Sequence, residues 1–536
     1  MQSNSKLSNE LIRSLMRASV YDHSVKTIKL IETHISWVIL TGTYAYKIKK
    51  PCNLGFLDFS TLTQRRFFCR EELRLNKRLA APFYLDIVAI TGSPAHPVLQ
   101  GTGDAIEYAL KMVQFPQNAQ LDIMLEAGML GKKHIDAFAH LLAEFHQNAA
   151  IAAPDTCFGN PEQVYQPVTQ AFKNIRACPE SQHYSARITE LENWGSSFYS
   201  THNYLFGQRK QNGFIRECHG DLHLRNLLWL HNKPFAFDCL EFDPNLRWID
   251  TLSDISFLVM DLQDRKQPQL ALRFLNAYLE HSGDYSGLRL FRFYLVYRAV
   301  IRAMVAAIRA GQAGISIPEK NKADNECHAY LTLAQSYICP KKPVLIILHG
   351  FSASGKSTLS QLLLECIGAM RIRSDVERKR IFGLLDNTST FDNSSNNHLA
   401  HKWDESPPPV YSQEANSRTY KKLSILAKDI LEAGFSVIID AAFLKFEERH
   451  TFLKLAQNKQ MPFIILSLNA TADTLRRRIR TRPKGISDAD ISVLEHQLKT
   501  SEPLHKDELP YLITVNTEEN TNLNKLTEAI RKKSCN

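Results

Sequence analysis

The chain has no Cys-x-x-Cys pair, no internal repeat and no charge-free apolar run long enough to span a bilayer. Its ten cysteines are scattered without regular spacing. That argues against a structural zinc site and a disulfide framework, and for thiols kept reduced in a cytoplasmic setting. The start of the chain is polar and charged and lacks the apolar stretch of a secretory signal. The most apolar long segment, 291–310, carries Arg292, Arg298, Arg302 and Arg309, so no membrane association is expected. Hydrophobic residues make up 44% and charged residues 22% of the chain, which excludes a disordered or fibrous protein. The 536 residues leave room for about three or four ordinary domains. A net charge of +10 suits anionic ligands such as nucleotides, or nucleic acid, and equally a basic surface without function.

Two phosphate-handling patterns are present. Gly350-Phe351-Ser352-Ala353-Ser354-Gly355-Lys356-Ser357 matches G-x-x-x-x-G-K-[ST] completely. Glycines at the ends of such a loop let the backbone curl so that successive amides point inward at phosphate oxygens. The apolar run 344–348 before it predicts a buried strand, and 358–364 after it predicts a helix whose N-terminus, from Thr358, adds its dipole. Lys356 is expected on the β- and γ-phosphates of ATP and the Ser357 hydroxyl on Mg²⁺. Downstream, Asp375 and Arg378 follow the strand-like 369–372, and an aspartate there can take a proton from an attacking hydroxyl. Asp440 ends the apolar run 437–439 and fits a carboxylate near the metal. Arg478 and Arg482 stand four apart in an arginine-rich segment and share a helix face, as a lid over the γ-phosphate would require. The structural alternatives are an N-cap for Asp375, a plain strand end for Asp440 and a solvated face for the arginines. Residues 386–409, rich in Asn, Ser, Thr and Pro, read either as a mobile loop over this site or as a featureless insertion.

The second pattern, His219-x-Asp221-x-x-x-x-Asn226, has the spacing of a kinase catalytic loop. Asp221 is expected to act as the base that accepts the proton of the acceptor hydroxyl or orients it, and Asn226 with Asp238 to hold Mg²⁺. Upstream, Lys47 ends a strand-like Ala45-Tyr46-Lys47 and is the expected phosphate clamp, with Lys49 and Lys50 as competitors. Glu71 is its expected partner and Glu72 the runner-up. No G-x-G-x-x-G loop precedes Lys47; the segment in that place is Glu32-Thr33-His34-Ile35-Ser36.

His219-Gly220-Asp221-Leu222-His223…Asn226 and Ile249-Asp250-x-x-x-Asp254 resemble the aminoglycoside phosphotransferase and choline kinase superfamily over about 28–310. There the residue matching Asp254 is implied to brace the catalytic loop. The phosphate loop, Asp375-x-x-Arg378 and Arg478-x-x-x-Arg482 resemble the P-loop small kinases, gluconate kinase and polynucleotide kinase among them, over about 343–517. The tandem resembles a bacterial fusion of the two. The implied fold is α/β and α+β: an N-terminal bilobal protein-kinase-like domain over 1–337, with a small lobe at about 20–115 and a helical lobe at about 116–320, and a doubly wound parallel P-loop domain over 338–536. The implied activity is ATP-dependent phosphotransfer to hydroxyls of small metabolites. A 5′-hydroxyl polynucleotide kinase acting on nucleic acid, and a regulatory ATPase with an inactive first module, are the alternatives.

Overall fold

A computed structural model describes residues 2–53, 55, 57–312, 314–339, 342–384, 412–481 and 490–535. Packing divides the chain into two compact units, Met1–Gln163 with Phe214–Leu258, and Val164–Gly213 with Val259–Asn536. Among the described residues no helix is long and apolar enough to cross a membrane. The segment 386–409 and Arg482 lie outside the described residues.

After an opening helix, Gln2–Leu15, the first unit forms an antiparallel six-stranded sheet. Its strands are β1 (Lys29–Glu32), β2 (Ser36–Leu40), β3 (Tyr44–Lys49), β4 (Tyr84–Gly92), β5 (Pro97–Leu99) and β6 (Glu107–Val113), in the order β1-β2-β3-β6-β4-β5. Alternation along β3 decides what each face does. Tyr46 and Ile48 enter an apolar cluster with Trp37, Ile39 and Val88. Ala45 packs on the opposite face with Ala80, Tyr84 and Leu110, and Lys47 and Lys49 share that face. The helix Leu62–Ala80 covers it, started by a capping box between Thr61 and Gln64.

Past the sheet, β7 (Ile215–Glu217) pairs with β10 (Trp248–Asp250), and β8 (Leu227–Leu230) with β9 (Lys233–Ala236). These two short ribbons frame the loops 218–226 and 237–247 that carry the first site.

In the second unit the long helices Ser185–Gln211, Pro268–Ser282, Leu288–Ala310 and Ile317–Ile338 precede a parallel sheet. Its strands are β11 (Leu345–His349), β12 (Ala369–Arg373), β13 (Ser436–Asp440), β14 (Phe463–Asn469) and β15 (Leu512–Asn516), in the order β12-β13-β11-β14-β15. Ile346, Ile438, Ile464 and Leu466 are fully buried, which explains why these strands read as solid apolar runs and not as alternating ones. Because all five strands run parallel, the loops after β11, β12 and β13 emerge at one edge. That edge is where an open parallel sheet binds ligands. The fold is therefore a kinase-like N-terminal sheet lobe followed by a doubly wound P-loop sheet.

Candidate active site

At the end of β11 the chain turns through Gly350 at φ 150° and Gly355 at φ 93°, backbone that favours glycine. A Cβ on Gly350 would meet the Leu468 carbonyl oxygen at 2.7 Å. The loop then feeds the helix Lys356–Ile367. Lys356 Nζ donates to the carbonyls of Gly350 (2.8 Å) and Phe351 (2.6 Å), so its ammonium lies across the mouth of the loop. Burial lowers its pKa to about 8, against the opposing pull of Asp440 and Asp375. Behind the loop, His349 Nδ1 lies 2.9 Å from Ser467 Oγ, and burial, with Arg449 and Lys356 nearby, lowers its pKa to about 4.

A cavity of about 1200 Å³ opens over this loop. Ser352, Ala353, Gly355, Lys356, Ser357 and Thr358 line one wall of it, and Ser354 is buried beneath. Asp375, Arg378, Asp440 and Arg478 are among the residues that line the remainder. Asp375 sits in the first turn of the helix Ser374–Ile381, whose N-cap is Arg373, so its carboxylate is not spent on capping. It accepts from Arg378 Nη1 at 3.1 Å, while Arg378 Nη2 donates to Asn416 Oδ1 at 2.9 Å. Asp440 ends β13 with one carboxylate oxygen 3.4 Å from Ser360 Oγ. Arg478 donates to the carbonyls of Thr517 (2.6 Å) and Ala353 (3.3 Å), tying the helix Ala472–Thr481 to the phosphate loop. Ser357 and Asp440 offer hard oxygen donors only, a set that fits Mg²⁺.

The first site is built around a buried charge cluster. Lys47 Nζ lies 2.7 Å from Glu72 Oε1 and 2.6 Å from Asp238 Oδ1. Lys49 Nζ lies 2.7 Å from the other Glu72 oxygen and is also ion-paired with Glu241. Burial alone would depress the Lys47 ammonium; Asp238 and Glu72 outweigh it and hold its pKa well above the ordinary value. Burial likewise opposes ionisation of Glu72, yet the two lysines bring its pKa down to about 2. Asn76, one helical turn on, accepts from the Cys239 amide at 2.9 Å and so fixes the Asp238 segment, where Asp238 itself has φ 61°.

The catalytic-loop residues are held from below. Asp254 is fully buried and accepts from the amides of His219 (3.0 Å) and Gly220 (2.8 Å), with His146 Nε2 at 3.1 Å. Gly220 has φ 88°, and a Cβ there would meet the Leu246 carbonyl oxygen at 2.8 Å. Asn226 Nδ2 donates to Asp221 Oδ2 at 3.0 Å, which places Asn226 and Asp221 side by side. The oxygens of Asn226 and Asp238 again suit Mg²⁺.

Residues 345–504 match the family model described as an AAA domain. The C-terminal segment is a P-loop domain of this type. An uncharacterized protein of Mycobacterium tuberculosis is 29% identical over 474 residues, covering 87% of this chain and 88% of its own length. A sugar kinase from Janibacter sp. resembles the P-loop domain at 20% identity and a TM-score of 0.25, over 36% of this chain and 94% of its own. An amicoumacin kinase solved with AMP-PNP and Ca²⁺ resembles this chain at 12% identity and a TM-score of 0.38, over 63% of this chain and 96% of its own.

One partner differs from the sequence expectation. Glu71 does not pair with Lys47; it pairs with Arg74 at 2.9 Å and with Arg247 at 3.5 Å. Neighbouring helix positions point about 100° apart, and it is Glu72 whose side chain faces the sheet. One residue beside the phosphate loop escaped the motifs altogether, and Lys49, a competitor for the clamp, takes a structural place in the first site. Gln497 Oε1 accepts from the Ser352 amide at 2.9 Å, reaching the loop from the helix Ile491–Thr500. Lys49 is buried beside Lys47, and the two-residue spacing on β3 was the signal that they share a face.

Proposed function

We propose that the chain is an ATP-dependent phosphotransferase with two nucleotide-using modules, divided near residue 338, each passing the γ-phosphoryl group to a hydroxyl of a small metabolite. The observation that carries the reading of the P-loop module is its cavity, where Lys356, Asp375, Arg378 and Asp440 line one space at the mouth of the phosphate loop.

In the P-loop domain the amides of 352–358 receive the phosphates, and Lys356 supplies the nearest cation. Asp375 takes the proton of the attacking hydroxyl, held in place by Arg378, which Asn416 fixes in turn. Arg478, tied to Ala353, keeps a guanidinium at the same loop; Arg482 belongs to this proposal only as a sequence expectation. Ser357 and Asp440 would hold Mg²⁺ in this domain, and Asn226 and Asp238 in the first module. When bound, the ion neutralises charge on the phosphoryl oxygens. In the first module Asp221 orients the acceptor hydroxyl, while Lys47, fixed by Glu72, clamps the nucleotide.

The test is ADP release by the full chain across sugars, aminoglycosides, nucleosides and 5′-hydroxyl oligonucleotides, with Asp221→Ala and Lys356→Ala alongside. Each variant should lose turnover with a different acceptor. If neither lowers turnover with any acceptor, the two-module reading fails; labelling confined to oligonucleotides replaces the metabolite with a nucleic-acid end.

A further inference from the structure

The helix Pro268–Ser282 lies outside the segment matched as a P-loop domain, yet it is bonded to the edge strand of that domain's sheet. Asn276 acts as a substitute strand partner for β12. Its amide nitrogen donates to the Ala369 carbonyl at 3.1 Å, and its oxygen accepts from the Arg371 amide at 2.7 Å. One turn further along, Glu280 receives two guanidinium groups at once. Arg371 Nη2 lies 3.0 Å from Oε2 and Arg373 Nη1 lies 2.9 Å from Oε1. The Glu280 carbonyl also accepts from Arg380 at 2.6 Å.

Arg373 reaches a candidate magnesium ligand, Asp440, while Arg371 reaches the backbone of Ser357 and the hydroxyl of Ser360. Arg371 Nη1 is 3.4 Å from the Ser357 carbonyl and 3.4 Å from Ser360 Oγ. Arg373 Nε is 3.8 Å from Asp440 Oδ2. All three groups are mostly buried, so each guanidinium without a carboxylate partner would turn to the nearest one left, and for Arg373 that is Asp440. Burial works against ionisation of Glu280, but Arg371 and Arg373 outweigh it and hold the carboxyl below its ordinary range.

We infer that Glu280 is a positioning residue of the P-loop site: it draws Arg373 off the Asp440 carboxylate, so that this oxygen remains available to a divalent cation, and it anchors Arg371 beside the backbone of Ser357. The inference rests on the proposed P-loop chemistry. It makes the helix Pro268–Ser282 part of that site's construction.

The experiment is a titration of the full chain with a fluorescent ATP analogue, with EDTA and over a range of Mg²⁺. Glu280→Gln keeps the side chain's shape and removes its charge. It should raise the Mg²⁺ concentration for half-maximal nucleotide binding about tenfold, one neighbouring charge's worth. Nucleotide binding in EDTA should hold or tighten, because two uncompensated cations attract the phosphates. Adding Arg373→Gln to Glu280→Gln should return the Mg²⁺ demand toward wild type. Arg373→Gln alone should lower the demand, which keeps the inference testable if Glu280→Gln does not fold. An unchanged Mg²⁺ curve in both single variants, or an equal loss of binding with and without Mg²⁺, overturns the inference. Absence of nucleotide binding by the wild-type chain overturns the P-loop reading itself and the inference with it.

Discussion

Lys49 reaches Glu72 at the same 2.7 Å as Lys47 does, one lysine on each carboxylate oxygen. The two lysines differ in what lies on their far side. Lys47 continues to Asp238, whose side chain is 45% exposed, so that end of the cluster opens to the site. Lys49 continues to Glu241, and both are buried. A clamp that must leave its carboxylates to meet phosphate needs a rigid neighbour that stays behind. Lys49 and Glu241 supply it, neutralising half of Glu72 whatever Lys47 does.

Lys49→Ala should therefore act on stability. It leaves Glu241 and one oxygen of Glu72 buried without a cation, at a cost of about 3–5 kcal/mol. Lys50→Ala removes the pair with Glu32, an acid 60% exposed, and should cost no more than about 1 kcal/mol. Denaturant unfolding of the two variants checks the contrast, and equal losses would show that the buried cluster is not what holds β3 to its helix.

Acid should weaken the fold in two windows. His349, with its pKa lowered to about 4 by burial from an ordinary 6.5, is neutral in the folded state. The unfolded chain binds that proton first, so the contribution is complete above 6.5 and is lost as pH falls toward 4. Glu72 and Glu217 have pKa values of about 2 against an ordinary 4.5. Burial opposes that depression, and Lys47 and Lys49 at Glu72, and Arg74 and Arg78 at Glu217, prevail. Their contribution is present above 4.5 and is lost as pH falls toward 2. Unfolding midpoints across pH should show His349→Gln flattening only the upper window and Glu217→Gln only the lower one.

The sequence patterns place the P-loop strands well. The expected runs 344–348, 369–372 and 437–439 start within one residue of β11, β12 and β13, because strands buried on both faces leave uninterrupted apolar runs. By contrast β4 is not legible, since its register shifts between Tyr84 and Asp86 and the alternation breaks there. The partner of Lys47 was open between Glu71 and Glu72 because local sequence does not fix the phase of a helix against a sheet. Gln497 and Glu280 act on the phosphate-loop site across 145 and more than 70 residues of chain, and no spacing rule spans such distances.

Asp254 offers a direct way to disable the first module without touching its chemistry. Asp254→Ala strands the buried amides of His219 and Gly220, each costing about 1–3 kcal/mol when unsatisfied. Turnover that depends on Asp221 should fall sharply, while binding of a fluorescent ATP analogue that depends on Lys356 should be unchanged. Asp254→Asn retains one acceptor oxygen and should fall between wild type and alanine.

The division of labour in the P-loop domain separates binding from chemistry. Lys356→Ala removes the cation across the loop mouth and should weaken nucleotide binding, read as a rise in Kd. Asp375→Asn should leave Kd within about threefold while lowering kcat by about 10²–10⁴, the range expected when a positioned general base is lost. The amide oxygen of an asparagine can still accept from Arg378 Nη1, so the cavity wall is preserved and only the proton acceptor is removed. Single-turnover measurements with saturating nucleotide isolate that step. If Asp375→Asn raises Kd as much as Lys356→Ala does, Asp375 serves the nucleotide and not the acceptor; if it changes neither quantity, the proton leaves the hydroxyl by another route.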